Sequence, residues 1–153
     1  MMKTCFLLFG VILLVLAATA TAALPDIVLD QIRQDIREIM TENGQVPPTA
    51  ALDEVHGMVI REMTASQKPL EMTAVEIAAF RNEKPLVSEE EFNRVMREFK
   101  KAIQNQPLPH LVAYYERKRE AKLITPRQKI LCYLLTLRLA DLAGVTIPPA
   151  PKG

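Results

Sequence analysis

The sequence predicts an all-α protein: a compact bundle of about five to six short helices around an apolar C-terminal helix. Three observations support this prediction. Apolar residues recur at spacings of three and four in several segments, and prolines and glycines separate those segments. No internal repeat and no alternation of strand-like with helix-like segments is present.

The predicted central helix lies between Lys122 and Gly144, in a stretch that is apolar on nearly every side. Thr125, Pro126 and Gln128 are typical of an N-cap, a first-turn proline and a capping-box glutamine, and Gly144 is typical of a left-handed stop. Such a helix needs neighbours on more than one side, within a bundle or across a dimer seam. Its candidate apolar interaction face consists of Leu131, Leu134, Leu135 and Leu142.

Residues 1–22 are predicted to be a signal peptide. Lys3 precedes the apolar run from Cys5 to Ala17, and the small residues 20–22 suit signal peptidase. The run is shorter than the ~20 residues of a membrane span, and no second run follows it. We therefore expect a secreted, extracellular protein, periplasmic if bacterial, without a stable membrane anchor.

Residues 23–144 are predicted to form one helical domain and residues 145–153 a Pro-rich flexible tail. Without Lys3 the chain has equal numbers of acidic and basic residues, which disfavours nucleic-acid binding. Four further helices follow from the apolar spacing, with a short, less regular one at 72–82. The five segments are Asp26 to Glu42, Thr49 to Ser66, Met72 to Asn82, a helix capped by Ser88 and Glu91, and a helix that begins near Leu108.

The apolar stripe of each predicted helix defines the expected core. In the short helix at 72–82 the inward residues are expected to be Met72, Val75, Ala79 and Phe80. The stripe of the helix after Ser88 contains Phe92, Val95, Met96, Phe99 and Ile103.

Residues that could carry chemistry are sparse. His56 and His110 stand alone on different predicted helices, which disfavours a metal site. No nucleophile elbow, phosphate-binding loop or zinc-protease motif is present. We therefore predict a protein that is not an enzyme and that uses no metal and no cofactor.

Cys132 is the only cysteine outside the predicted signal peptide, so no disulfide framework is expected. Two interpretations are open. The thiol is either a small apolar group in the core, with a pKa raised by burial, or one half of an intermolecular disulfide in a homodimer.

Two pairs of basic residues suggest another hypothesis. Lys100 with Lys101, and Lys118 with Arg119, are the kind of dibasic sites at which secreted precursors are cut. Both pairs lie within predicted helices. A processed precursor is therefore kept as an alternative function.

Residues 123–128, Leu-Ile-Thr-Pro-Arg-Gln, resemble the L-T-x-x-Q element of the Spy-type periplasmic chaperones. In that family the element recurs near the start of the chain, and the segment from Asp26 to Glu42 has no copy. The resemblance implies an exported, ATP-independent chaperone that presents a partly apolar cradle to unfolded proteins.

The first functional hypothesis is a secreted, non-enzymatic helical protein that binds through an amphipathic or apolar face. Its partner would be a macromolecule or a hydrophobic ligand, because flexible methionines and leucine-rich faces suit such partners. The exported chaperone and the processed precursor are the alternatives.

Overall fold

The computed structural model describes residues 24–42, 71–106 and 108–152, and it folds them into a compact all-α arrangement. Within these ranges there are five helices and no strand, which confirms the predicted fold class. The predicted signal peptide and the predicted helix from Thr49 to Ser66 lie outside the described residues. The helices are α1 (Asp26–Thr41), α2 (Ala74–Arg81), α3 (Glu89–Ala102), α4 (His110–Glu120) and α5 (Pro126–Leu142).

Both ends of α5 form as the sequence indicates. The Thr125 hydroxyl accepts from the Gln128 amide at 3.2 Å, and the Gln128 side chain accepts from the Thr125 amide at 3.1 Å. This reciprocal pair satisfies two amides that the first turn would leave without partners. Gly144 has a φ of 70°, and the next amide donates to the Ala140 carbonyl at 2.8 Å, closing the last turn.

Helix α5 contacts α2, α3 and α4. Its apolar residues reach neighbours on several sides, so Ile130, Leu131 and Cys132 are buried. Full burial of a leucine or isoleucine side chain stabilises the folded chain by ~1.5–3 kcal/mol. The position of α5 therefore accounts for a large part of the apolar core.

Helix α1 packs against α4 through one stripe. Val28, Ile32 and Ile36 are buried in that stripe, as their spacing predicts. Asp35 also lies within it and is fully buried, although the predicted apolar stripe does not include it.

Helix α2 is shorter than the predicted segment and differs from it at one inward position. Met72 and Phe80 are buried, but Val75 is 75% exposed, so the prediction that Val75 faces inward is wrong. Thr73 is the N-cap, and it forms a full capping box with Glu76. Val75 therefore lies in the first turn of α2. The buried residue of this helix is Phe80, near its C-terminal end, so side chains of the first turn remain in solvent.

The start of α3 contains half of the predicted capping box. The Ser88 hydroxyl accepts from the Glu91 amide at 3.2 Å. The Glu91 carboxylate instead accepts from the guanidinium of Arg94, at 2.6 and 2.8 Å. A charged partner one turn along the helix outcompetes the neutral backbone amide, because charge-assisted hydrogen bonds are stronger.

Residues 145–152 form neither helix nor strand. The chain after Gly144 reaches α3, where the Arg94 guanidinium donates to the Pro148 carbonyl. In the described part of the chain, no helix has both the length and the apolar character needed to cross a membrane.

Candidate functional site

An apolar groove lies where the starts of α3 and α5 meet. Its walls come from two separate segments: residues 85–92, which are the loop before α3 and the first turn of α3, and residues 124–133 around the start of α5. The groove has a volume of about 270 Å³. The side chains that form its walls are those of Pro85, Leu86, Val87, Phe92, Ile124, Pro126, Ile130 and Tyr133.

The mouth of the groove carries the polar residues Ser88, Glu89 and Lys129. The Lys129 ammonium lies 2.5 Å from the Glu89 carboxylate and 5.9 Å from the centre of the Phe92 ring. The hydrogen bond from Lys129 lowers the pKa of Glu89 below its usual range. Because Glu89 is exposed, this pair is open to water and to exchange with a bound molecule.

Local capping fixes the shape of the groove. Ser88 starts α3 and Thr125 starts α5, so the first turns of both helices are held in place. Phe92 and Ile130 are buried side chains that form its floor. An apolar wall held on rigid helices, with a few polar groups at the mouth, is the usual composition of a small-molecule site.

The four leucines predicted as an apolar interaction face do not form one accessible surface. Leu131, Leu134 and Leu135 are buried in the core, whereas Leu142 is 52% exposed at the end of α5. The physical reason is that α2, α3 and α4 all pack on this helix. Among the described residues, the groove is thus an accessible apolar concavity, whereas the leucine face of α5 is largely covered.

Cys132 is a free cysteine with no exposed surface. Its thiol lies 3.9 Å from the Met96 sulfur, and the Thr136 hydroxyl donates to the same sulfur at 3.4 Å. Burial raises the pKa of the Cys132 thiol to about 12. In this conformation the thiol does not reach the surface, so the second interpretation, an intermolecular disulfide, would require α5 to leave the core.

A cluster of hydrogen-bonded polar side chains surrounds Asp35. Its carboxylate accepts hydrogen bonds from the Tyr115 hydroxyl at 2.5 Å, from Gln128 at 2.9 Å and from Gln31 at 3.0 Å. All three donors are uncharged. Removal of the carboxylate from water raises the pKa of Asp35, although the three hydrogen bonds oppose that shift.

Two more acidic residues face α4 beside this cluster: Glu38 of α1 and Glu42, which directly follows α1. The Tyr114 hydroxyl donates to Glu38, and the Lys118 ammonium lies 3.4 Å from the same carboxylate. Arg117 pairs with Glu42 at 2.8 Å. We call the contact made by Asp35, Glu38 and Glu42 with α4 and Gln128 the carboxylate seam.

The two dibasic pairs lie at the C-terminal ends of α3 and α4. Lys100 contacts Glu116 at 2.9 Å, and Arg119 donates to the same carboxylate. Burial alone would raise the pKa of Glu116, but the hydrogen bonds from Arg119 and Lys100 outweigh it and lower that pKa. Lys101 and Lys118 are paired with Glu98 and Glu38. Cleavage at either pair would thus require local opening of a helix end.

The sequence contains a signal for the position of Asp35. Asp35 lies seven residues after Val28 and three after Ile32, so the α1 stripe passes through it. The sequence predicts Gln128 as a capping residue, and in the structure its amide also donates to Asp35. No local pattern could have shown the groove, because its walls come from segments that are far apart in the sequence.

The two histidines form no metal site in the part of the chain that the structure describes. His110 is the exposed first residue of α4, and His56 lies outside the described residues. Within the described ranges, no three His, Cys, Asp or Glu side chains are grouped so as to hold a metal ion.

No protein-family model, curated protein or solved structure matches this chain.

Proposed function

We propose that this chain is an exported, non-enzymatic protein that binds a small apolar molecule in the groove between α3 and α5. The observation that carries the proposal is an accessible, largely apolar concavity beside a helix whose residues Leu131, Leu134 and Leu135 are buried in the core. The volume of 270 Å³ lies just below the ~300–1,000 Å³ typical of drug-sized ligands. A compact ligand is therefore favoured over a long lipid chain.

The ion pair at the mouth supports a binding role. Lys129 and Glu89 lie beside the apolar wall, so they can orient a polar end of the ligand while its apolar body replaces water in the groove. Displacement of water from apolar walls contributes about 25 cal/mol per Å² of buried apolar surface. An exposed ion pair contributes only ~0–1 kcal/mol, so its rearrangement is a small cost.

The test is a titration with n-hexanol, followed by NMR of the methyl groups. Saturable shifts at Leu86, Val87, Ile124 and Ile130 are expected, with smaller effects at buried methyls of the Asp35 side of the core. The variant Ile124→Asp places a charge in the wall and should abolish the shifts. The matched control is Leu123→Asp, because Leu123 is the neighbouring residue, is 66% exposed and lies outside the groove.

Three outcomes decide the proposal. Saturable shifts that Ile124→Asp removes and Leu123→Asp retains support it. Shifts that rise linearly, or that are spread over the molecule, contradict it. Suppression of aggregation of several unrelated denatured proteins, without saturable hexanol binding, would favour the exported chaperone instead.

A further inference from the structure

The carboxylate seam joins α1 to the rest of the molecule through ionisable groups. Asp35, Glu38 and Glu42 lie at spacings of three and four, so they share one face of α1 and of the capping residue that follows it. Asp35 is the deepest of the three and is fully buried. A buried carboxylate with uncharged hydrogen-bond donors is stabilised less in its ionised form than one paired with a cation.

Within the described residues, the groups that face Asp35 come from three helices. From α1 they are Gln31 and the Glu38 carboxylate, and from α5 the amide of Gln128. From α4 they are the hydroxyls of Tyr115 and Tyr114, with the Lys118 ammonium beyond them on Glu38. Lys118, the cation among these groups, therefore pairs with Glu38, which is partly exposed, and not with the deeper Asp35.

We infer that α1 is docked more firmly in mild acid than at neutral pH, because its docked position favours the protonated carboxyl of Asp35 over the carboxylate. The uncharged acid fits the same position, since its O–H can donate to the Tyr115 oxygen, which accepts as well as donates. When α1 leaves α4, the Asp35 carboxyl is exposed to water and ionises with its ordinary pKa. The proton released on ionisation goes to solvent.

The direction of the effect follows from linkage. The pKa of Asp35 is higher in the docked state than in water, because burial is the largest influence on it. The stabilisation of the docked state is complete below the ordinary value of ~3.9 and declines as the pH rises through the docked value. Docking of α1 should therefore weaken from pH 4 towards pH 7.5.

Amide hydrogen exchange of the full chain tests this inference. Protection factors, corrected for the intrinsic pH dependence of exchange, are measured in α1 and α3 between pH 4 and pH 7.5. Relative to α3, protection of α1 should fall by about threefold or more, since each unit of pKa difference corresponds to about tenfold. In Asp35→Asn, which keeps a polar side chain of the same shape, this relative fall should disappear.

The Asp35→Asn variant also separates the effect of Asp35 from the effects of other titrating groups. Asp35→Asn keeps both histidines and the ion pairs of Glu38 and Glu42, so any response it retains belongs to them. A relative fall equal to that of the wild type in Asp35→Asn would overturn the inference, as would no fall in the wild type.

A second variant decides the question if Asp35→Asn does not fold. Tyr115→Phe removes a hydrogen bond that is stronger to the ionised carboxylate than to the uncharged acid, so it should enlarge the fall of α1 protection with pH. An unchanged or smaller fall in Tyr115→Phe would contradict the inference.

Discussion

Helix α5 has two sides with different chemistry. Towards α3 it presents Ile130, Tyr133 and Cys132, which meet Phe92 and Met96 in contacts that are almost wholly apolar. Towards α1 and α4 it presents the Gln128 amide, which joins the network of hydrogen bonds around Asp35. One helix therefore supports both an apolar wall and a polar interior.

The difference concerns how each side tolerates change. An apolar contact loses stability in proportion to the area and volume removed. A buried polar network depends on completeness, because each donor left without an acceptor costs ~1–3 kcal/mol. The stability of the groove side should thus depend on the size of the substituted side chain. The stability of the carboxylate seam should depend on hydrogen bonding and on pH.

The largest expected effect is on the apolar side. Leu131→Ala should lower the free energy of unfolding by ~2–5 kcal/mol, because Leu131 is fully buried and its loss leaves a cavity. Urea unfolding followed by circular dichroism measures the change. Leu142→Ala on the same helix is the matched control and should change stability much less, since Leu142 is half exposed. Equal losses for the two variants would contradict the placement of α5.

On the polar side, Asp35→Ala should lower the free energy of unfolding by ~1–3 kcal/mol at pH 5. The Tyr115 hydroxyl and the Gln128 amide would lose their acceptor while remaining buried. Asp35→Asn retains an acceptor oxygen and should be less destabilising. The same urea experiment compares them, and an alanine variant as stable as the asparagine variant would refute the importance of the network.

The cap of α5 should have a smaller effect. Thr125→Ala removes the hydroxyl that accepts from the Gln128 amide, which costs ~1 kcal/mol in typical helices. Thr125→Ser keeps the hydroxyl and serves as the control. Thermal unfolding should therefore show a lower Tm for the alanine variant and almost no change for the serine variant.

The smallest expected effect belongs to the exposed edge of the carboxylate seam. Arg117 and Glu42 are both half exposed, so their coupling energy in a double-mutant cycle should be ~0.2–1 kcal/mol. Measurement at low and high salt should show that the coupling decreases as ions screen the pair. A coupling above 2 kcal/mol that salt leaves unchanged would place this pair in the interior.

The sequence predicted the features that depend on nearby residues. The caps of α5, the stripe of α1 and the left-handed Gly144 all arise from positions within a few residues of one another. The prediction for Val75 is wrong because the short α2 has a weak apolar pattern that defines no single face.

The features that the sequence did not predict depend on tertiary packing. Asp35 is buried because Tyr115 and Gln128, more than 75 residues away, complete its hydrogen bonds. The groove likewise exists only where Leu86, Phe92 and Ile124 are brought together. Sequence spacing can mark such residues as candidates, but only the packed structure gives them partners.

The reactivity of Cys132 tests the central claim, that the face of α5 with Leu131, Cys132 and Leu135 is buried in the core of the described residues. The purified chain is mixed with a thiol reagent, and labelling of the native protein is compared with labelling in denaturant. Native labelling should be slower by about a thousandfold or more, because it requires opening of the core, and non-reducing gels should show monomer. Labelling at the denatured rate, or a dimer that Cys132→Ser abolishes, would contradict the claim.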